Sequence, residues 1–323
     1  MSKIGGDSLN IIRRIRDGIG RVFVGNEPAV RTLLATLLVE GHALLLGPVG
    51  SGKTTLARLL ALTIGGTFKR VQVTNETLPS DIIGFVIYTP TGDSRLVRGP
   101  IFANVVLLDE LNRAPQRTLS ALLEAMQERQ VTIDGTPLEL PRPHMVVATM
   151  NITEVELGYT QQLPLAIIDR FTSSIYVGYA SEDEERMVVK DIDRIERELA
   201  TMSSVVSVGE VMKLIDGVKG IYVDDVVHTY LMSIIKELRS DPRLIAPLST
   251  RAAISLFKLS RAFALLDGRN YVIPDDVKAA AYPTLMHRIW LRPEYRGSVS
   301  AVDVLNEVIN KVPVPHFIIE NMA

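Results

Sequence analysis

One segment constrains this chain more than any other: Gly47-Pro-Val-Gly-Ser-Gly52-Lys53-Thr54, which fits the spacing GxxxxGK followed by Ser or Thr. Glycines at 47, 50 and 52 let a backbone curl with its N–H groups pointing inward. A helix that begins where the curl ends turns the positive end of its dipole toward an anion. The flanks supply the required context. His42 to Leu46 is a short apolar run that reads as a buried strand, and Lys53 to about Ile64 reads as a helix. On this reading Gly47, Pro48, Val49, Gly50, Ser51 and Gly52 wrap the phosphates of ATP, and Thr55 joins them from the first helical turn. Lys53 reaches the β- and γ-phosphates as a point charge, and the Thr54 hydroxyl ligates Mg²⁺.

Val105-Val-Leu-Leu-Asp109-Glu110 ends a second apolar run in two acids. The C-terminal tips of strands are where open parallel sheets bind ligands. Asp109 is placed to hold Mg²⁺, and Glu110 to orient and polarise the attacking water. Two acids can also end a strand at the surface with no further role. The phosphate loop upstream favours the functional reading, because each site needs the other. Asn151, just past the run Met145 to Thr149, is a candidate donor to the water or the γ-phosphate, against the plain alternative of a turn-forming Asn. Arg170, in Asp169-Arg-Phe171, is a candidate arginine finger completing a neighbouring subunit's site; the alternative is an ion pair with Asp169. Arg113 is a second finger candidate. Arg251 starts a helix in the second half, and from spacing alone it reads no differently from a solvated helix arginine.

Helical and strand patterns alternate up to about Val177, which predicts a parallel α/β sheet. Phe85 to Arg98 reads as a hairpin, and Gln130 to Leu140 as another around Asp134-Gly135. From Ser181 onward helical periodicity dominates, with helices predicted over Ser181 to Met202, Ser207 to Gly217, Asp224 to Leu238, Thr250 to Leu266 and Pro274 to His287. A domain boundary is therefore expected near residue 178, dividing 1–178 from 179–323. The net charge of -2 argues against a constitutive nucleic-acid binder. The absence of cysteine excludes disulfides, thiolate metal sites and a cysteine nucleophile. Met1 to Asn10 lacks the apolar core of a signal peptide, and no run is apolar enough to span a membrane, so a cytoplasmic protein is expected.

With these motifs the chain resembles the MoxR family of AAA+ ATPases. Further blocks carry the resemblance: Leu78-Pro-Ser-Asp-Ile-Ile-Gly84, the segment from Gly99 through Asp109 to Pro115, that from Ala121 to Gly135, that from Leu265 to Lys278, and Val312-Pro-Val-Pro315. The resemblance runs from about residue 8 to 315. It implies an AAA+ P-loop core with a parallel five-stranded sheet between helices, a smaller all-helical lid, and a homo-hexamer with sites between subunits. It makes Asn151 the sensor 1 residue, Arg170 the arginine finger and Arg251 the sensor 2 residue. It also turns Val24 and Gly25 of Val24-Gly25-Asn26 into adenine-side contacts, and the two hairpins into the insertions that mark the clade. The chain departs from the usual family pattern after Asn151 and at Leu248-Ser-Thr-Arg251.

The expected function is ATP hydrolysis that remodels, assembles or activates protein complexes in a chaperone-like way. The resemblance implies protein clients and a von Willebrand factor A-domain partner. Two alternatives share the machinery: a motor acting on nucleic acid, and a chelatase-type motor for metal insertion. The acidic tip Asp134-Gly135 counts against the first. Intact Glu110 counts against a switch that binds nucleotide without hydrolysing it.

Overall fold

The computed structural model describes residues 6–150, 163–295 and 297–315. The chain divides into two compact units, one from Asp7 to Ile215 and the other from Asp216 onward. The first unit is built on five parallel strands: β1 (Ala43–Leu46), β2 (Phe68–Gln72), β5 (Val105–Asp109), β8 (Met145–Met150) and β9 (Ser173–Tyr176). Their order is β2-β5-β8-β1-β9. Helices α1 (Gly6–Gly20), α2 (Glu27–Leu38), α3 (Lys53–Thr63), α4 (Pro79–Ile83), α5 (Gln116–Glu128) and α6 (Leu165–Ile168) accompany the sheet. β3 (Gly84–Tyr88) with β4 (Ser94–Arg98), and β6 (Gln130–Ile133) with β7 (Thr136–Glu139), form two antiparallel hairpins.

The sequences of the strands follow from their places. β5 lies inside the sheet, and every residue from Val105 to Leu108 is fully buried, so it reads as a continuous apolar run and not as an alternation. β2 lies at the edge and keeps the charged Lys69 and Arg70. α3 packs against β5 and β2, and α2 packs against β9. Leu56, Leu59 and Leu60 of α3 have no exposed surface. Truncating any one of them to alanine costs about 2–5 kcal/mol by the usual range for buried leucines.

Register sets the functional edge. Leu46 of β1 aligns with Met150 of β8, and Leu108 of β5 with Ala148. The loop after β1, the acids after β5 and the chain after β8 therefore leave the sheet at one edge. β1 and β8 are neighbours, but the chain leaves β1 toward β2 and leaves β8 toward β9, in opposite directions. A crevice at such a switch point is the ligand position of open α/β sheets.

Asp134 and Gly135 have φ of 50° and 76°, the two left-handed residues that a two-residue hairpin turn requires. The Tyr88 hydroxyl of the other hairpin donates to the Asp134 carboxylate, joining the two hairpins. At the base of β6–β7, the nearly buried Glu40 carboxylate accepts from Arg129 (2.9 Å) and from Arg142 (2.9 and 2.8 Å), which flank the hairpin in sequence.

Some elements differ from the expectations. The helix predicted over Ser181 to Met202 is broken at Asp191 into α7 (Glu182–Lys190) and α8 (Ile192–Thr201). Asp191, which ends one helix and starts the next, has φ of -103°, and its carboxylate accepts from the Arg194 side chain in the following turn. The strands end near residue 178, but the compact units divide later, inside helix α9 (Val208–Lys219), and α7 and α8 belong to the unit that carries the sheet. The second unit holds α10 (Asp225–Arg239), α11 (Thr250–Leu266), α12 (Pro274–Leu285) and α13 (Ala301–Lys311). It also has two isolated bridges, Tyr222 with Tyr271 and Leu244 with Leu291. The sequence expectations omit α13, although Ser300 and Asp303 cap it and Val304, Leu305, Val308 and Ile309 bury one face.

Candidate nucleotide site

The loop between β1 and α3 has the backbone that its glycines permit. Gly47, Gly50 and Gly52 all have positive φ. At Gly47 a Cβ would lie 2.2 Å from the Val177 carbonyl oxygen, and at Gly52 one would lie 2.9 Å from the Phe23 ring. Neither position tolerates a side chain without movement. Gly52 is the N-cap of α3 and offers no side chain to the first-turn amides, which leaves them to an outside acceptor. The Ser51 hydroxyl is buried within the loop with no hydrogen-bond partner among the described residues. These are features of a cradle for oxyanions.

Lys53 Nζ donates to the carbonyls of Gly47 (2.9 Å) and Pro48 (2.6 Å), which hold the ammonium over the loop. Partial burial pulls its pKa below the ordinary lysine value, and the Asp109 charge opposes that shift. Thr54 and Thr55 occupy the first turn of α3, both half-buried. Thr54 Oγ1 stands 3.5 Å from Asp109 Oδ2, so a hydroxyl and a carboxylate face one another as a hard divalent cation requires.

The two acids after β5 are held differently. Asp109 Oδ1 accepts from the Thr149 hydroxyl at 2.5 Å. The same hydroxyl oxygen accepts from the Glu110 backbone N–H at 2.9 Å. One buried threonine on β8 thus fixes both residues. Asp109 Oδ2 accepts from Arg70 Nε (3.0 Å) and Nη2 (2.7 Å), from the neighbouring strand β2. Glu110 has φ of 60° and its carboxylate pairs with Arg113 Nε at 2.7 Å. A left-handed conformation at a non-glycine residue is costly, of order 1–3 kcal/mol, and concentrates at functional sites.

A third segment meets the loop from the other side. Gly25 has φ of 78°, and a Cβ there would lie 2.6 Å from the Glu184 carboxylate. The Tyr179 hydroxyl donates to the Val49 carbonyl at 3.1 Å. Phe23 to Gly25, the glycine loop and the Tyr179–Glu184 segment therefore converge. Val24 is half-buried in this group.

Of the remaining expected residues, Asn151 lies outside the described residues. Arg170 Nη2 donates to Gln127 Oε1 at 2.9 Å and its Nη1 to the Ala166 carbonyl. Arg251 is exposed in the first turn of α11, which Ser249 caps by accepting from Ala252 N–H. A cation at a helix N-terminus opposes the dipole, so Arg251 adds nothing to the stability of α11 by that route. Thr149, Arg70 and Tyr179 escape the sequence expectations. Thr149 left one trace, a hydroxyl near the end of the otherwise apolar Met-Val-Val-Ala-Thr-Met strand.

Comparison with known proteins gives the family. Residues 42–173 match the model of the ATPase family associated with various cellular activities (AAA), and residues 236–308 match the AAA lid domain. The chain is 40% identical over 299 residues to the uncharacterized protein YeaC of Bacillus subtilis, covering 92% of each. It is 36% identical to Chaperone MoxR1 of Mycobacterium tuberculosis, covering 92% of this chain and 80% of that one. A crystal structure of a candidate ATPase from Cytophaga hutchinsonii superposes with a TM-score of 0.87 at 33% identity, covering 96% of each chain. With its AAA core, its helical lid unit and these relatives, the chain belongs to the MoxR family of AAA+ ATPases.

Proposed function

We propose that this chain binds ATP with Mg²⁺ in the cradle of Gly47 to Thr55 and hydrolyses it to drive remodelling of other protein complexes. The observation that carries this reading is the placement of Lys53, Thr54, Asp109 and Glu110 at one sheet edge, with Thr54 Oγ1 3.5 Å from Asp109 Oδ2. The backbone amides from Gly47 to Gly52 and the Lys53 ammonium bind and orient the phosphates. Thr54 and Asp109 hold Mg²⁺, which supplies positive charge to the phosphate oxygens when bound. Glu110 takes the proton side of the chemistry, polarising the attacking water after it leaves Arg113. Val24 and Gly25 face the base.

The remaining roles extend the family relationship. Arg170 of an adjacent subunit stabilises transition-state charge, Asn151 and Arg251 sense the γ-phosphate, and the assembly is a hexamer in the cytoplasm. The relative named Chaperone MoxR1 supports chaperone-like work on protein clients. A partner with a von Willebrand factor A domain fits that work. Among the described residues no helix is long and apolar enough to cross a membrane.

The test is Glu110→Gln. It keeps the shape and removes the acid, so ATP affinity stays near that of the wild type while turnover falls by about 100-fold or more, the scale of losing a positioned base. Turnover at the wild-type rate would remove Glu110 from the reaction.

A further inference from the structure

We propose that Arg70 is a positioning residue that competes with the divalent cation for Asp109, so that metal entry and release of the Arg70 guanidinium are one event. This rests on the reading above in which Thr54 and Asp109 hold the metal. The contest is for a single atom. Asp109 Oδ2 is the oxygen that Thr54 Oγ1 approaches at 3.5 Å, and it is also the oxygen that accepts from Arg70 Nε at 3.0 Å and Nη2 at 2.7 Å. The other carboxylate oxygen, Oδ1, is engaged by the Thr149 hydroxyl at 2.5 Å. A cation ligated by Thr54 and Asp109 therefore needs the atom that Arg70 uses.

A guanidinium cannot neutralise itself by losing a proton, so it has to yield by moving. Its surroundings allow this. β2 is an edge strand, and the Arg70 side chain is 48% exposed, against 14% for Asp109. Arg70 Nη2 also donates to Gln72 Oε1 at 2.8 Å. Gln72 is exposed and pairs with Asp109 across the β2–β5 register, so the same guanidinium nitrogen is shared between its amide oxygen and the carboxylate. When the metal departs with the spent nucleotide, Arg70 returns and balances the charge of Asp109. Competition of this kind is reciprocal: whatever Arg70 takes from metal affinity, the metal takes from the Arg70–Asp109 pair.

The experiment measures Mn²⁺ binding by electron paramagnetic resonance on full-length protein saturated with ADP. Arg70→Ala is expected to bind Mn²⁺ about two- to fivefold more tightly than the wild type, the worth of one half-exposed ion pair. Arg70→Lys, with a point charge in place of the fork, falls between them. ADP affinity in the presence of a chelator stays unchanged in both. Gln72→Ala keeps the arginine and removes the amide that steadies it beside Asp109, which loosens the pair and tightens Mn²⁺ binding by less than Arg70→Ala does; it tests the same contest should Arg70→Ala fail to fold, and unchanged or weaker binding overturns it. Equal or weaker Mn²⁺ binding by folded Arg70→Ala overturns the proposal. Thr54→Ala separates the two readings. If it abolishes Mn²⁺ binding while Arg70→Ala changes nothing, only the role of Arg70 falls. If Thr54→Ala binds Mn²⁺ like the wild type, the metal lies elsewhere and both readings fall.

Discussion

A single buried hydroxyl, that of Thr149, donates to Asp109 and accepts from the backbone of Glu110. Replacing it with valine keeps the shape, leaves the Glu110 N–H without its acceptor and frees one oxygen of Asp109. An orphaned buried donor costs about 1–3 kcal/mol. If that cost falls on the aligned arrangement of the two acids, Thr149→Val lowers ATP turnover by about 10- to 100-fold. Nucleotide affinity, set by the glycine loop and Lys53, stays near that of the wild type. Steady-state rates with calorimetric affinities check both, and wild-type turnover would show that the two acids hold their places without Thr149. The same residue shows where the sequence stops being legible. Lys53, Thr54, Asp109 and Glu110 stand in local motifs whose spacing announces their chemistry. Thr149 lies 40 residues from Asp109 and Arg70 lies 39, and only the strand order β2-β5-β8 makes them neighbours.

At the scale of elements, two histidines stitch the end of the sheet opposite the glycine loop. His42, just before β1, accepts the Val146 N–H at its Nδ1 (3.0 Å) and donates from Nε2 to the Met126 carbonyl (3.0 Å), tying β1 to β8 and α5. His144 donates from Nδ1 to the Ala103 carbonyl (2.9 Å). Burial lowers their pKa values from 6.5 to about 3 for His42 and about 4 for His144. In the unfolded chain both take up a proton near 6.5, while the folded chain stays neutral there. Their contribution to stability is thus fully present above about pH 6.5 and is lost as the pH falls toward 4. Each histidine costs roughly 1.4 kcal/mol per pH unit in that window. His144→Asn keeps a donor for Ala103 but does not titrate. The stability gap between wild type and this variant in denaturant unfolding narrows by about 2 kcal/mol from pH 7 to pH 5. A constant gap would mean that His144 takes up its proton in the folded chain over the same pH range as in the unfolded one. Most elements were legible from periodicity, because a fully buried strand such as Val105–Leu108 and a one-sided helix such as Gln116–Glu128 carry their environments in their patterns. The break at Asp191 was not, because the pattern remains helical on both sides of it.

Across the whole molecule, the order of the parts explains why so much chemistry gathers at one sheet edge. Parallel strands point their C-terminal tips the same way, so a glycine loop after β1 and a pair of acids after β5 meet whatever the surface sequence does. The lid unit was legible as a run of helices, whereas the point where the compact units divide was not, since helix Val208–Lys219 continues through it. Every role proposed at this edge depends on the glycine loop and Lys53 gripping a triphosphate. Titration calorimetry of ATP with Mg²⁺ into the Glu110→Gln chain, which holds nucleotide without consuming it, tests that most directly. A saturable binding heat in the Glu110→Gln chain that disappears when Lys53→Ala is added is the expected result. A flat titration before that change, or an undiminished one after it, would contradict nucleotide binding by this loop and Lys53.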